Sequence, residues 1–449
     1  MRADLRKLWL DLKGSYWFIP SVLTLFAFGL ALGMIHLDRL WGPEWLTSLG
    51  WFEESRPAGA RAQLTVVTSA MIAISSTLFA ITIAAVAFAS GNYGPRLLTN
   101  FMHDRGNQVS LGVFVATFVY NLMLLRVVRD PAEAPAPGET AAEAVTAFVP
   151  QLSMLVSGAS VIVSVAVLVY FLHHIPASIR VNSVLAQIGR RLIEDIEERF
   201  PRKGAASEPV EPPRGDPVAA ADSGYIEIID FGSLDRIARQ AGGTISLQVR
   251  TGDFVHPHRP LVELAGAAVE EETKTAVRSA FSLGASRTPE QDLEFMIDEL
   301  VEIGLRALSP GMNDPFTAVT SIHWMSAALA MLAERDLRPG PEQRSYDPSL
   351  VHVLPDDFDH FLKRSFGGLR QSAAASPIAA KMVLDALWGV AVGATSGERR
   401  EALLAEGRLL LRQAETELKG PALEELRERM DGLERQMADI GGSLTGSTA

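Results

Sequence analysis

The sequence predicts a membrane α-helical fold, with four transmembrane helices followed by a mixed α+β, mostly helical cytosolic domain. Hydrophobic residues make up 48% of the 449 residues, and the mean hydropathy is +0.15, which is high for a soluble chain. Four apolar runs, each near the roughly 20 residues that cross a bilayer, lie within residues 1–173. These two observations favour a membrane domain at the N-terminal end of the chain.

The four apolar runs are the predicted spans. They lie at Tyr16–Ile35, Leu64–Ala89, Val109–Leu125 and Leu152–Leu172. The first run is too long for a signal peptide, and no small-residue cleavage site follows it before Trp41. We therefore expect it to remain as a span, with Tyr16 and Trp17 at the interface.

Basic residues flank the spans unevenly and predict their direction. They occur in the N-terminal arm, between the second and third spans, and after the fourth span. These residues are Arg2, Arg6, Lys7, Lys13, Arg96, Arg105, Arg180, Arg190 and Arg191. Because positive charge stays on the cytosolic side of a membrane, both termini are expected in the cytosol.

The acidic charge of the chain belongs to its second half. Residues 1–173 carry 11 Lys/Arg and 11 Asp/Glu, whereas residues 174–449 carry the other 30 and 42. A cytosolic domain with a net charge of −12 argues against nucleic acid as a partner. The chain has no cysteine, which excludes disulfides, thiolate metal ligands and cysteine nucleophiles. We expect no metal and no cofactor.

The second span is unusually rich in hydroxyl groups and carries no charge. Several of these hydroxyls fall near one face at helical spacing. They fit either close helix packing by small residues or a pore lining, in which hydroxyls replace part of an ion's hydration without a buried charge. The pore-lining candidates are Thr65, Thr68, Ser69, Ser76, Thr77, Asn92 and Tyr93.

Changes in composition divide the rest of the chain. The predicted parts are the transmembrane domain 1–173, a helix leaving the membrane at 174–200, a linker at 201–222, a small β-containing unit at 223–270, a helical domain at 271–440 and a disordered tail at 441–449. The helix leaving the membrane is predicted as one continuous helix over Phe171–Phe200. Its predicted end is at Phe200, because Pro201 stops the helix.

The small β-containing unit has two predicted strands, Tyr225–Phe231 and Thr244–Arg250. A short helix over Gly232–Ala241 lies between them, with Ser233 as its expected N-cap. The unit resembles half of a biotinyl/lipoyl-type barrel in the run GTISLQVRTGDFVHPHRPLVELAG. It lacks the Met-Lys hairpin that carries a prosthetic group, so the resemblance implies a scaffold.

The segment RALSPGMNDPFTA, Arg306–Ala318, is dense in special residues. Asp314 followed by Pro315 is a strong signal for the start of a helix. The segment fits either a rigid corner between two helices or a ligand or gating site, where a helix start could hold an anion. The candidate residues for that site are Arg306, Ser309, Asn313 and Asp314.

The C-terminal end is predicted to be helical from Asp356 onward, with one helix over Glu398–Leu418. Apolar residues then follow 3-4-3-4 spacing, which indicates a helix that pairs in cis or between subunits. These residues are Leu423, Leu426, Met430, Leu433 and Met437.

Two stretches, Gly91–Arg126 and Arg306–Ala318, look like the predicted bacterial membrane proteins catalogued as domain of unknown function 2254. The resemblance covers nearly the whole chain. It implies the same architecture and a multi-pass protein of the bacterial inner membrane. It implies no activity, because none is assigned to that family.

Three classes of function remain. A homo-oligomeric channel for small ions, with the cytosolic domain as a regulatory or vestibule domain, is expected, because four spans leave little volume for alternating access. The alternative is a membrane-tethered sensor or scaffold without transport. An enzyme is not expected, since GxxxxGK, GxSxG and HExxH motifs are absent from the sequence. The expected partners are the lipid bilayer, further copies of the chain and small ions.

Overall fold

The computed structural model describes residues 12, 15–41, 56–94, 104–129, 148–200, 213–266, 270–337 and 345–445. The chain divides into two compact units. The N-terminal unit is Leu10–Arg180, and the C-terminal unit includes Val181–Ala449.

The N-terminal unit consists of long helices. They are α1 (Phe18–Trp41), α2 (Pro57–Tyr93), α3 (Arg105–Leu125) and α4 (Gln151–Ser178). Contacts between their ends show that they run alternately up and down. Arg61 near the start of α2 donates to the carbonyl of Val128 just after α3, at 2.7 Å. Asp104 at the start of α3 lies 2.8 Å from His174 near the end of α4, and Asp38 near the end of α1 binds the start of α4.

Helix α3 is the central helix of this unit, because it packs against α1, α2 and α4. Its buried face includes Phe114, Tyr120 and Leu124. A Cβ added at Gly112 would lie 3.1 Å from Cα of Pro20 in α1, so the two backbones approach closely there. Glycine at such a crossing is typical of helix packing in membranes.

The C-terminal unit is mostly helical, with a few short strands. Its helices are α5 (Val181–Arg199), α6 (Phe231–Ala241), α7 (Glu271–Arg278), α8 (Leu293–Ala307), α9 (Pro315–Glu334), α10 (Phe358–Leu362), α11 (Gly368–Ala374), α12 (Pro377–Gly393), α13 (Gly397–Glu417) and α14 (Pro421–Thr445). A π-helical segment, Lys363–Gly367, joins α10 to α11. The strands are β1 (Asp216–Ala219), β2 (Gly224–Ile229), β3 (Thr244–Leu247), β4 (Phe254–Val255), β5 (Pro260–Ala265), β6 (Phe281–Gly284) and β7 (Val351–His352).

The strands form two small sheets around one apolar core. One sheet has the order β1-β5-β3-β7 and the other β4-β2-β6, and every pair is antiparallel except β3 with β7. The core contains residues of both sheets, including Ile226, Ile245 and Val262. The turn before β4 contains Gly252 at φ 89°, a left-handed conformation that glycine adopts without strain.

The helical part is built around α9 and α12, which pack against each other. Helix α9 also packs against α5 and α8, and α14 packs against α12 and α13. In α14, the residues Leu426, Met430, Leu433 and Met437 are buried. The heptad pattern in this segment therefore describes pairing in cis.

Four local predictions are wrong. The helix predicted over Phe171–Phe200 is interrupted, since α4 ends at Ser178, two residues after Pro176, and α5 begins at Val181. Strand β1 lies inside the stretch predicted as a linker, and β5 pairs with it. Residues 201–212 of that linker lie outside the described residues.

The other two errors concern helix ends. Asp230, not Ser233, is the N-cap of α6, and the Ser233 hydroxyl donates to the Asp230 carboxylate at 2.7 Å. Helix α14 extends to Thr445, into the predicted tail, while residues 446–449 lie outside the described residues.

Five helices of the described residues are long and apolar enough to cross a membrane. They are the four helices of the N-terminal unit and α9. The chain is thus mostly helical, with several apolar helices of membrane-spanning length and a few strands.

Candidate functional site

The hydroxyl groups of α2 divide between two sides of the helix. Thr68 is buried in the N-terminal unit, as are Ser75 and Thr82 at successive intervals of seven residues. Thr65, Ser69, Ser76 and Thr77 are exposed on the unit. The structure therefore separates Thr68 from Thr65, Ser69, Ser76 and Thr77. Helix α2 includes Asn92 and Tyr93, whose side chains lie outside the described residues.

Most of these hydroxyls donate to the backbone of their own helix. The hydroxyl of Ser76 donates to the carbonyl of Ile72 at 2.9 Å, and that of Thr77 to Ala73 at 3.0 Å. Bonds of this kind satisfy the O–H donor within the helix. The hydroxyl oxygens of Ser76 and Thr77 stay exposed as acceptors on an uncharged helix surface.

A buried polar seam, which the sequence analysis missed, joins α3 to α4. Asn121 is fully buried, and its amide donates to the carbonyl of Thr117 at 2.7 Å. The hydroxyl of Ser157 donates to Asn121 Oδ1 at 2.5 Å, and the hydroxyls of Thr117 and Ser164 lie 3.1 Å apart. Serines at positions 153, 157, 160 and 164 recur at helical spacing in the sequence, so the signal was present in the fourth apolar run.

Charged side chains of the described N-terminal unit occur at helix ends. Asp38 accepts from the backbone amides of Leu152 and Ser153, at 2.8 and 3.0 Å, and caps α4 from outside that helix. Asp104 caps α3 through the amide of Gly106 at 2.7 Å. The same carboxylate contacts His174, whose ring stacks on Tyr170 with centroids 5.1 Å apart.

The corner between α8 and α9 has the predicted cap. Asp314 accepts from the amide of Thr317 at 3.2 Å and from its hydroxyl at 2.6 Å, and these bonds lower the pKa of Asp314. Arg306 pairs with Glu302 at 3.3 Å. The Ser309 hydroxyl donates to the Arg306 carbonyl at 2.6 Å. Each of these contacts explains the segment as a rigid corner, and its ligand role stays a prediction.

Asn313 completes the corner with a left-handed backbone at φ 47°. Asparagine tolerates this region better than most residues. The amide of Asn313 donates to the Ser309 carbonyl at 2.9 Å, so its place in the sequence follows from the geometry of the turn.

The C-terminal unit contains a cavity of about 900 Å³ where α5, the two-sheet core and the loop before α8 meet. Its wall includes apolar side chains, among them Phe231, Leu247 and Phe361. Charged side chains also line it, with seven acidic residues against three arginines. They are Asp195, Glu197, Glu198, Glu290, Asp292, Glu294, Asp356, Arg191, Arg199 and Arg250.

Each of the three arginines in the cavity wall pairs with a carboxylate. Arg191 lies 3.3 Å from Glu290, and Arg199 lies 3.0 Å from Asp356. Arg250 lies 3.8 Å from Glu294 and also donates to the carbonyl of Pro355. The acidic surplus of the wall is therefore concentrated on α5, where burial raises the pKa of Asp195 and the nearby carboxylates add to that rise against Arg191.

A network of ion pairs holds the loop before α8 against the π-helical segment. Arg287 binds Asp292 at 2.7 Å and Asp298 at 2.6 Å. Arg364, in the π-helical segment, binds Asp298 at 2.7 Å and Glu294 at 2.7 Å. Isolated π turns are often found at functional sites, and here the turn brings Arg364 to two carboxylates.

The loop itself closes against the β part of the same unit. Gln291 has a left-handed backbone at φ 57°. Its side-chain oxygen Oε1 accepts a hydrogen bond from the backbone amide of Ile229 at 3.0 Å. A Cβ added at Gly252 would lie 2.1 Å from Asp292 Oδ2, so only glycine fits there. The described ranges contain no group of three or more His, Asp or Glu side chains that could hold a metal ion.

Comparisons with known proteins place this architecture in context. A family model described as "Predicted membrane protein" and catalogued as domain of unknown function 2254 matches residues 13–388. Uncharacterized proteins of Mycobacterium bovis and Mycobacterium tuberculosis are 29% identical over 430 residues, covering 92% of this chain and 78% of each relative. No solved structure matches.

Proposed function

The chain belongs to the family of predicted membrane proteins catalogued as domain of unknown function 2254, and we propose that it is a membrane-tethered sensor for a small cationic ligand. The cavity of about 900 Å³ carries this proposal. Its volume is in the range of small-molecule sites, and its wall combines apolar surface with a few charged groups. The relatives are uncharacterized, so the proposal depends on the geometry of this chain.

The proposed topology has four spans, α1 to α4, with both termini in the cytosol of a bacterium. Up-and-down packing of these helices and the basic flanks support it. We propose that α9 remains in the cytosol. Its buried residues, among them Ile322, Met325 and Leu329, are covered by helices of the C-terminal unit, which also carries the ion-pair network.

The sign of the wall charge gives the class of ligand. Five of the seven acidic wall residues form ion pairs with arginines, namely Glu197, Glu290, Asp292, Glu294 and Asp356. Asp195 and Glu198 on α5 are the acidic groups that favour a cation in the cavity. A cation near Asp195 also offsets the mutual repulsion of the carboxylates on α5, and the apolar wall suits the methylene groups of an organic amine. A linear polyamine such as spermidine has both features.

The pH dependence of this binding follows from Asp195. Burial raises the pKa of Asp195 above the ordinary value, so in the folded chain this carboxyl stays neutral to a higher pH than an exposed aspartate does. As the pH rises through that pKa, the carboxyl ionises and the folded state loses stability, which a bound cation restores. Affinity for spermidine is therefore expected to increase over that pH range.

Thermal unfolding of the full chain in detergent tests the proposal, with spermidine as the probe. Ligand at roughly 100 times its dissociation constant stabilises a protein by about 2.7 kcal/mol. We expect Asp195→Asn to weaken this effect. The matched control Glu428→Gln, exposed on α14, should leave it unchanged. The same shift in both variants, or no shift in the parent chain, would contradict the cationic ligand.

The second candidate function is the homo-oligomeric ion channel, and the exposed hydroxyls of α2 favour it. Thr65, Ser69 and Ser76 form a stripe on the side of α2 away from its buried residues. Ion flux into liposomes tests it, with Ser76→Leu as the probe variant and Val66→Leu, exposed on another side of α2, as the control. Flux that is lost only in Ser76→Leu supports a pore, and absence of flux in the parent chain leaves the sensor.

A further inference from the structure

The corner between α8 and α9 presents large apolar side chains to the outside. Phe316 is 71% exposed and Met312 is 42% exposed. Both side chains project from a hydrogen-bonded turn. In this turn the amides of Met312 and Asp314 donate to the carbonyls of Ser309 and Ala307, at 3.1 and 2.8 Å. Both exposed side chains therefore belong to a turn that backbone hydrogen bonds define.

Helices α5 and α9 are parallel, which places this corner at a particular end of the C-terminal unit. The indole of Trp324 lies against Gly189, where an added Cβ would be 2.3 Å from it. Toward the C-terminal ends of both helices, Arg335 pairs with Glu197 at 3.3 Å. Residue numbers rise together in both helices, so Phe316 lies at the level of Val181, the first residue of α5.

Helix α12 is parallel to them as well. The His323 ring contacts the sulfur of Met382 at 3.1 Å, and Ser326 donates to the carbonyl of Ala386 at 3.4 Å. Its first turn, with the exposed Ile378, is therefore at the same end of the unit as Phe316. The exposed apolar residues of three neighbouring segments are gathered at this end.

This end is the one at which the chain enters the C-terminal unit. Val181 follows Arg180 directly, and α4 ends at Ser178. Only His173–Arg180 separates the last apolar run from Val181. As a helix this stretch would cover roughly 12 Å, and a headgroup layer is roughly 6 Å thick.

We infer that the corner formed by Met312 and Phe316 contacts the bilayer surface and places its apolar side chains at the headgroup boundary. Side chains of this kind anchor peripheral segments because they remove apolar area from water at the interface. This contact is independent of the cavity and of the ligand proposed for it.

The absence of cysteine from the chain allows a direct test. The variants Phe316→Cys and Met312→Cys, each carrying one nitroxide label, are reconstituted as the full chain in phosphatidylcholine/phosphatidylglycerol nanodiscs. Val392→Cys is the matched control, because Val392 is 60% exposed but lies at the opposite end of α12. Collisions with oxygen, which concentrates in lipid, and with a water-soluble nickel complex are measured for each label.

We expect the labels at 312 and 316 to show nickel accessibility at least about threefold below that at 392, together with higher oxygen accessibility. The two probed positions guard against a single substitution that disturbs the turn. Nickel accessibility equal to that at 392 would overturn the inference. Low accessibility to both reagents would also overturn it, because the corner would then be covered by protein.

Discussion

The N-terminal and C-terminal units connect their helices with different polar groups. In the seam between α3 and α4, neutral side chains such as Asn121 and Ser157 hydrogen-bond to each other. Around the start of α8, Arg287 and Asp292 of the preceding loop and Arg364 of the π-helical segment belong to a continuous network of ion pairs. Buried polar contacts therefore differ in kind between two parts of one chain.

The difference follows from the surroundings of each seam. A charge among apolar helices has a high transfer cost, which insertion scales place at about 2.5–3.5 kcal/mol at the centre of a span. Neutral hydroxyls and amides satisfy one another there without that cost. In the C-terminal unit, the pairs of Arg364 with Glu294 and Asp298 stay partly exposed, so their desolvation is incomplete, whereas the Asp292 carboxylate is buried and bonded to Arg287 on both oxygens.

The largest expected effect breaks the ionic side of this comparison. Asp292→Ala removes the N-cap of α8 and leaves Arg287 without its bidentate partner. The Asp292 side chain is 1% exposed, so we expect a loss of about 3–5 kcal/mol in the free energy of unfolding, as for a broken buried pair. Denaturant unfolding of the C-terminal unit within the full chain measures it.

Two further variants sharpen that result. Asp292→Asn keeps an acceptor for the amide of Phe295 and should be less harmful than Asp292→Ala. Lys274→Ala, which breaks an exposed pair with Glu271, is the control and should have no measurable effect. Equal stability of Asp292→Ala and Lys274→Ala would show that the network contributes little.

The next effect concerns a charge that the N-terminal unit does tolerate. Asp38→Ala removes the acceptor for two backbone amides at the start of α4 and for the hydroxyl of Ser153. We expect a loss of about 2 kcal/mol, the upper end for a cap, because these donors lie in apolar surroundings. Reversible unfolding in mixed SDS micelles measures it, and Asp38→Asn should recover part of the loss.

The cap at Asp314 provides the exposed counterpart. Asp314→Ala is expected to destabilise the chain by about 1 kcal/mol at neutral pH. The Thr317 hydroxyl lowers the pKa of Asp314, so this contribution is present above the ordinary aspartate pKa and is lost as the pH falls through the lowered value. The gap between parent and variant should thus begin to narrow below about pH 4 and close once the pH is below the lowered pKa of Asp314. A gap that persists in strong acid would assign the stability to another group.

Local chemistry explains what the sequence could predict. Helices α2 to α4 cover three of the apolar runs and α1 covers the first from Phe18 onward, because long uncharged runs are recognisable without knowledge of tertiary contacts. The start of α9 was predictable because Asp314 and Pro315 act on their own helix. In α6, by contrast, Ser233 was the expected cap, whereas Asp230, three residues earlier, caps the helix by accepting from the amide and the hydroxyl of Ser233.

Contacts between distant segments explain what it could not predict. Arg287 and Arg364 both bind Asp298, but the spacing of these residues in the sequence does not indicate a common network. The cavity likewise takes its wall from α5, the β part and loops far apart in the chain. The seam at Asn121 was missed for a different reason. The regularly spaced serines of α4 are visible in the sequence, but the hydroxyls of α2 are more numerous and were the ones taken as a signal.

The smallest expected effect tests the neutral side of the comparison. Ser157→Ala removes the hydroxyl that donates to Asn121 Oδ1 and leaves that buried oxygen without this donor. In a membrane such bonds contribute about 0.6 kcal/mol on average, because the unfolded chain in the bilayer also finds partners. Ser160→Ala is the control, since its hydroxyl donates to the carbonyl of Ser157 in its own helix. A loss in Ser157→Ala as large as that of Asp292→Ala would show that the neutral seam is as strong as the ionic network, and the surroundings would no longer explain the difference between the two units.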